Sequence, residues 1–154
     1  MDKIRILVAE DIEATISLYK KAITDQYFEK QFAKDGKQAL LIYQEWKPDV
    51  LLLDIKMPEI TGLDLLQIIR EKLGDRQTAI IMSTSESTMD DVKKCAAFGI
   101  EGYILKPFKI KKLEEQILSG YAKKRPDIAN VILELKKTLE ETPHEEIINP
   151  GAST

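Results

Sequence analysis

The sequence predicts an α/β fold: a doubly wound, five-stranded parallel sheet with a C-terminal helical extension. Three observations carry that reading. Short apolar, β-branched runs alternate with helix-period segments about every 25 residues. The run Val50-Leu51-Leu52-Leu53 is continuously apolar, the pattern of a strand buried on both faces. Five strand–helix units in succession require right-handed crossovers, which place helices on both sides of the sheet.

The elements follow in order. Lys3 to Glu10 reads as the first strand, and Asp11 then caps a helix carrying Ile12, Ile16, Leu18, Tyr19, Ala22 and Ile23. Phe28 to Asp35 alternates weakly, as an outer strand does. Gly36 to Trp46 has Ala39, Leu40, Ile42, Tyr43 and Trp46 on helical spacing and is stopped by Pro48. The central strand runs into Asp54. Gly62 to Leu73 is a helix ended by Gly74, Ala79 to Met82 a fourth strand, and Asp90 to Phe98 a short helix. Gly102 to Leu105 is the fifth strand and Lys109 to Tyr121 the fifth helix.

Composition bounds the function. The 154 residues are 44% hydrophobic and 32% charged, enough for one buried core and too ordered in pattern for wholesale disorder. No apolar run reaches the roughly 20 residues that span a bilayer, and the N-terminus turns straight into a strand without a signal-peptide pattern. The single cysteine, Cys95, forms no internal disulfide and reads as a small apolar filler, which fits a cytoplasmic protein. The net charge of −3 and the pI near 5.4 argue against direct nucleic-acid binding. That charge is uneven: Pro126 to Thr154 carries −4, so the preceding residues carry +1. The single histidine, His144, in the polar tail, excludes most His-based metal centres and reads as solvent-exposed.

In parallel sheets of this kind the ligand site lies beyond the carboxyl ends of the strands. The residues there are Glu10, Asp11, Asp54, Thr84 and Lys106. Three carboxylates converging on one point repel each other unless a cation sits among them. Mg²⁺ suits the set, since it takes oxygen ligands and often shares them with phosphate. With the ammonium of Lys106 and the hydroxyl of Thr84, the group suits phosphoryl transfer, with the Asp54 carboxylate as nucleophile.

The set Glu10-Asp11, Asp54-Ile55-Lys56-Met57-Pro58 with Gly62, Thr84, and Tyr103-Ile104-Leu105-Lys106-Pro107-Phe108 resembles the CheY-like receiver domains of bacterial two-component response regulators. The resemblance runs from about Ile4 to Tyr121. It implies a flavodoxin-like (βα)5 sheet of order 2-1-3-4-5. It further implies that Asp54 is the phosphoacceptor and that Asp11, Asp54 and the backbone carbonyl of Lys56 bind Mg²⁺, with Glu10 acting through water. Lys106 and Thr84 would contact phosphoryl oxygens, and Tyr103 would be the aromatic that swings inward as the threonine moves. Lys56 and Glu86 occupy the positions that tune phosphoryl lifetime, and as opposite charges they would pair across the mouth of the site. The phosphodonor would be a sensor histidine kinase or a phosphotransfer protein.

Two other functions compete with this one. A phosphatase of the haloacid-dehalogenase type needs a second aspartate two residues after the first, where this chain has Lys56. A degenerate receiver acting only as a docking module is disfavoured by the complete set of site residue types. The chain divides at about residue 122, into a receiver (1–122) and an acidic extension (123–154) with one amphipathic helix and a flexible end. The 33 residues after Tyr121 are too few for the usual DNA-binding output domain. The protein is therefore either a free-standing receiver acting on a downstream partner or one separated from an output domain.

Within the extension, Pro126 and Asp127 open a helix whose apolar stripe is Ile128, Ile132, Leu135 and Leu139, with Val131 alongside. About 15 residues of helix are marginal alone, so the stripe must be covered. Its own domain, near Lys109, Lys111 and Lys112, is one cover. A second copy, giving a homodimer through this helix, is the favoured one.

Overall fold

The computed structural model describes residues 2–85 and 89–141. In chain order the elements are β1 (Ile4–Ala9), α1 (Glu13–Ala22), β2 (Phe28–Ala33), α2 (Gly36–Trp46), β3 (Val50–Asp54) and α3 (Gly62–Gln67). They continue with β4 (Ala79–Thr84), α4 (Met89–Phe98), β5 (Gly102–Leu105), α5 (Ile110–Tyr121) and α6 (Pro126–Glu141). The five strands form one parallel sheet of order β2-β1-β3-β4-β5. This is the doubly wound architecture and strand order expected from the sequence.

The apolar runs divide their side chains between two cores because strand residues point alternately to opposite faces. Ile4, Ile6 and Val8 of β1, Val50 and Leu52 of β3, and Ala79 and Ile81 of β4 face α1, α5 and α6. Leu7, Ala9, Leu51, Leu53, Ile80 and Met82 face α2, α3 and α4, with Cys95 buried as a filler among them.

Several boundaries differ from the sequence reading. Asp11 does not cap α1; Ile12 holds the N-cap position and no side chain bonds the first turn. By contrast, the Asp35 carboxylate accepts from Gln38 N at 2.7 Å and starts α2. The third helix continues from α3 as a π-helical turn over Ile68–Lys72 before Gly74, at φ +65, ends it. The fourth strand runs two residues beyond Met82, because Ser83 pairs with Asp54 and Thr84 with Leu105.

The larger correction concerns α6. Its cover is its own domain: Ala129 and Ile132 are fully buried in the α1/α5 core, and Ile128 and Leu133 pack against it. Lys136 Nζ reaches the buried carboxylate of Glu114 on α5 at 2.6 Å. The other Glu114 oxygen accepts from the N–H and hydroxyl of Thr24, at the end of α1, at 2.8 and 2.9 Å. The stripe read from the sequence is thus split, since Val131, Leu135 and Leu139 stay about half exposed. The described part of the extension, through α6, thus continues the core between the sheet and α1/α5.

Away from the strand ends lie two buried polar clusters. Arg70, from the π-helical turn, bonds Glu101 at 2.8 Å, Gly99 O at 2.9 Å and Asp75 O at 2.8 Å. The same Glu101 oxygen accepts from Ile80 N at 2.9 Å. Asp75 accepts from the hydroxyls of Tyr43 and Thr78 and from the N–H groups of Gln77 and Thr78.

Ile132→Ala should lower unfolding stability by about 2–4 kcal/mol, the cost of emptying a fully buried aliphatic site. Chemical denaturation measures it, and a loss under 0.5 kcal/mol (roughly the surface value) would show that α6 is not anchored. The second expectation concerns acid. Burial raises the Asp75 carboxyl, but the hydrogen bonds from Thr78 and Tyr43 outweigh it and hold it at about 2. A group depressed in the folded state stabilises above its unfolded value, near 3.8, and that stabilisation fades as pH falls toward 2. Discounted for partial exposure, it amounts to about 1–2 kcal/mol. Asp75→Asn should therefore flatten the stability–pH curve between 4 and 2 (the interval between those two values), and an unchanged slope would contradict it.

Candidate functional site

The parallel strands deliver their carboxyl ends to one edge, and five side chains meet there. Asp54 is the last residue of β3 and Thr84 the last of β4. Glu10 and Asp11 follow β1, and Lys106 follows β5. Glu10 is fully buried and Asp54 nearly so, whereas Asp11 is exposed at the rim. One carboxylate oxygen from each of the three acids lies within 4.8 Å of the others.

Lys106 supplies the counter-charge. Its ammonium donates to Glu10 Oε1 at 2.5 Å and to Asp54 Oδ2 at 3.2 Å. The backbone helps set the approach, since Lys106 N donates to Thr84 O at 2.9 Å. Burial pushes the Glu10 carboxyl up; the bond from Lys106 opposes this and the charge of Asp54 adds to it. Among the described residues Lys106 bonds two of the three carboxylates, and the clustered acids carry an excess of negative charge that suits a divalent cation. All the donors are hard oxygens, so the set fits Mg²⁺.

Local backbone shapes the pocket. Lys56 N faces Asp54 Oδ1 at 3.3 Å, in a turn that keeps the Lys56 side chain exposed. A Cβ at Gly62 would come within 1.9 Å of the Asp54 carbonyl oxygen, so only glycine lets α3 start against the end of β3. Thr61 caps that helix, accepting from Asp64 N at 3.1 Å.

Thr84 is buried beside the acids. Tyr103 is half-buried on the α4 side, packed with the second core, and its buried hydroxyl has no hydrogen-bond partner among the described residues. Burial, with the neighbourhood of Cys95 and Asp91, raises its phenol. Glu86 and His144 lie outside the described residues. Sequence reasoning missed one contributor. Tyr19, an apolar helix position by its spacing, meets Ser83 Oγ through its hydroxyl at 2.7 Å and stacks on Phe108. A phenol among apolar helix positions, matched by a serine in an apolar strand, was the available signal.

Comparison with known proteins agrees with this geometry. A family model described as response regulator receiver domain matches residues 6–118. The chain is 32% identical over 114 residues to the chemotaxis protein CheY of Pseudomonas aeruginosa, covering 73% of this chain and 92% of that protein. It is 28% identical over 128 residues to the DNA-binding response regulator MtrA of Mycolicibacterium smegmatis, covering 83% of this chain and 55% of that protein. The chain thus spans about half the length of the MtrA relatives it matches. Among solved structures, CheY in a CheX-CheY-BeF3-Mg²⁺ complex from Borrelia burgdorferi has a TM-score of 0.69 at 27% identity, covering 75% of this chain and 87% of that one. A CheY-like receiver domain protein from Methanospirillum hungatei has a TM-score of 0.75 at 24% identity, covering 82% and 99%. With its family motif matched over most of its length on a sheet of the same order, this chain belongs to the response regulator receiver domain family of two-component signal transduction.

Proposed function

We propose that the chain accepts a phosphoryl group on Asp54 with Mg²⁺ and uses the modification to change its surface toward a partner. The observation that carries this is the Lys106 ammonium at 3.2 Å from Asp54 Oδ2, inside a cluster of three carboxylates. Asp11, Asp54 and the Lys56 carbonyl would hold the metal, with Glu10 acting through water. Bound there, Mg²⁺ would neutralise charge on the acids and on the incoming phosphoryl group.

The chain's own residues do the rest. An Asp54 carboxylate oxygen attacks phosphorus, forming one O–P bond as the bond to the donor's leaving atom breaks. Lys106 then turns from Asp54 to a phosphoryl oxygen, and the Thr84 hydroxyl bonds another. Movement of Thr84 would draw Tyr103 further inward, where its unpartnered hydroxyl costs little to relocate. Water later cleaves the acyl phosphate, so the chain promotes its own phosphotransfer and slow dephosphorylation. The donor would be a sensor histidine kinase or a phosphotransfer protein in the cytoplasm. The output would be a downstream partner, or an output domain of the kind that MtrA's name implies. No helix among the described residues is long and apolar enough to cross a membrane. The exposed Val131, Leu135 and Leu139 are where a homodimer through α6 would form.

With Mg²⁺ and acetyl phosphate, intact-mass spectrometry should show one phosphoryl adduct, absent from Asp54→Asn and absent when the divalent ion is chelated. Labelling that survives either change would sink the assignment, and a wild type that never labels would leave a docking module. Light scattering of the same samples tests the homodimer: Leu135→Glu should convert dimers to monomers, and a wild type monomeric at every concentration rules that contact out.

Phosphoryl lifetime provides a separate check. If Lys56 and Glu86 shield the acyl phosphate, replacing both by alanine should speed its decay about tenfold, near 1.4 kcal/mol of barrier. An unchanged decay rate would make them ordinary surface charges.

A further inference from the structure

Tyr19 is 1% exposed on the inner face of α1, and its side chain joins two strand ends that the acid cluster depends on. Its hydroxyl lies 2.7 Å from Ser83 Oγ. Its ring stacks on Phe108 with centroids 4.9 Å apart and planes 14° from parallel. Ser83 is itself 1% exposed, sits opposite Asp54 in the β3/β4 register, and precedes Thr84. Phe108 is two residues beyond Lys106.

Two buried polar side chains that partner each other are a costly way to fill a core, since two apolar residues of similar volume would pack without desolvating either hydroxyl. The pair acquires a purpose from its location. Burial, reinforced by the charges of Glu10 and Asp54, raises the phenol, so Tyr19 stays protonated and can donate to Ser83. The stack on Phe108 backs the segment after β5, where Lys106 N also donates to Thr84 O at 2.9 Å.

We propose that Tyr19 is a positioning residue for phosphoryl acceptance. Through Phe108 it holds Lys106 between Glu10 and Asp54, and through Ser83 it fixes the end of β4 beside Thr84. Its hydroxyl bonds Ser83 and its ring contacts Phe108, so its main effect on labelling passes through the placement of Lys106. This role rests on the assignment of Asp54 as acceptor.

The test is a double-mutant cycle in the full chain, reading the initial rate of Asp54 labelling by acetyl phosphate and, separately, Mg²⁺ affinity by titration. Tyr19→Leu should slow labelling about tenfold. Tyr19→Phe, which keeps the stack, should recover to within about threefold of wild type, and Mg²⁺ affinity should stay within about twofold for both. In a Lys106→Ala background, Tyr19→Leu should add less than about twofold, because the group it positions is gone. A full tenfold loss in that background, a parallel fall in Mg²⁺ affinity, or no change in rate would each overturn the role and leave Tyr19 as packing. If Tyr19→Leu does not fold, Phe108→Leu breaks the stack from its half-buried side and is held to the same outcomes. Failure of the acceptor assignment has its own signature: labelling of an otherwise wild-type chain that persists in Asp54→Asn, which would remove both readings at once.

Discussion

The ammonium of Lys106, lodged between the buried Glu10 and Asp54, is the interaction around which the rest of the molecule is arranged. Parallel strands with right-handed crossovers put all their carboxyl ends on one edge, and this chain places acids at two of them. Carboxylates so close, two of them out of water, would protonate or push apart without a cation. Lys106 answers part of that charge and leaves the balance to a divalent ion and an incoming phosphoryl group. The surrounding geometry keeps it there. Gly62 lets α3 close on the Asp54 backbone, and the Tyr19–Phe108 stack backs the segment that follows β5.

The buried acids elsewhere obey a different rule. Glu114 is bonded by Thr24 and Lys136, and Glu101 by Arg70 and Ile80 N, so each buried carboxylate has its charge matched and its lone pairs used. Such pairs hold elements in register, and breaking one partner leaves a charge without compensation. Glu114 ties the end of α1, α5 and α6 together, while Glu101 and Arg70 tie the π-helical turn to the start of β5. Glu10 and Asp54 differ because they share the ammonium of Lys106, with the Asp11 carboxylate close by. This imbalance, more than burial alone, separates an acid cluster that invites a ligand from acids that only staple the fold.

The docking of α6 follows from the same packing logic. Its inner face extends the α1/α5 core with Ala129 and Ile132, and Lys136 closes the seam. The helix therefore bears on α5, which packs against α1, the helix that carries Tyr19. Elements far apart in the chain are thus joined by side-chain hydrogen bonds that span 64 and 90 residues of sequence.

The strands, their parallel arrangement and the gathering of Glu10, Asp11, Asp54, Thr84 and Lys106 at one edge were legible in the sequence. Burial on both faces leaves an unbroken apolar run, and a polar residue ending such a run must lie at the strand's end. The strand order and the residue roles came from the resemblance, not from pattern. Tertiary structure alone decided that Ile132 is buried while Leu135 is exposed, that Asp11 leaves the helix cap to Ile12, and that β4 runs on to Thr84. It also decided that Tyr19 and Ser83 meet, and that Glu101 and Glu114 are matched by Arg70 and Lys136. The physical reason is the same in each case. Periodicity states that a face must be covered and a polar group satisfied, but which residue does so depends on distances between segments remote in sequence, and those exist only once the chain has folded.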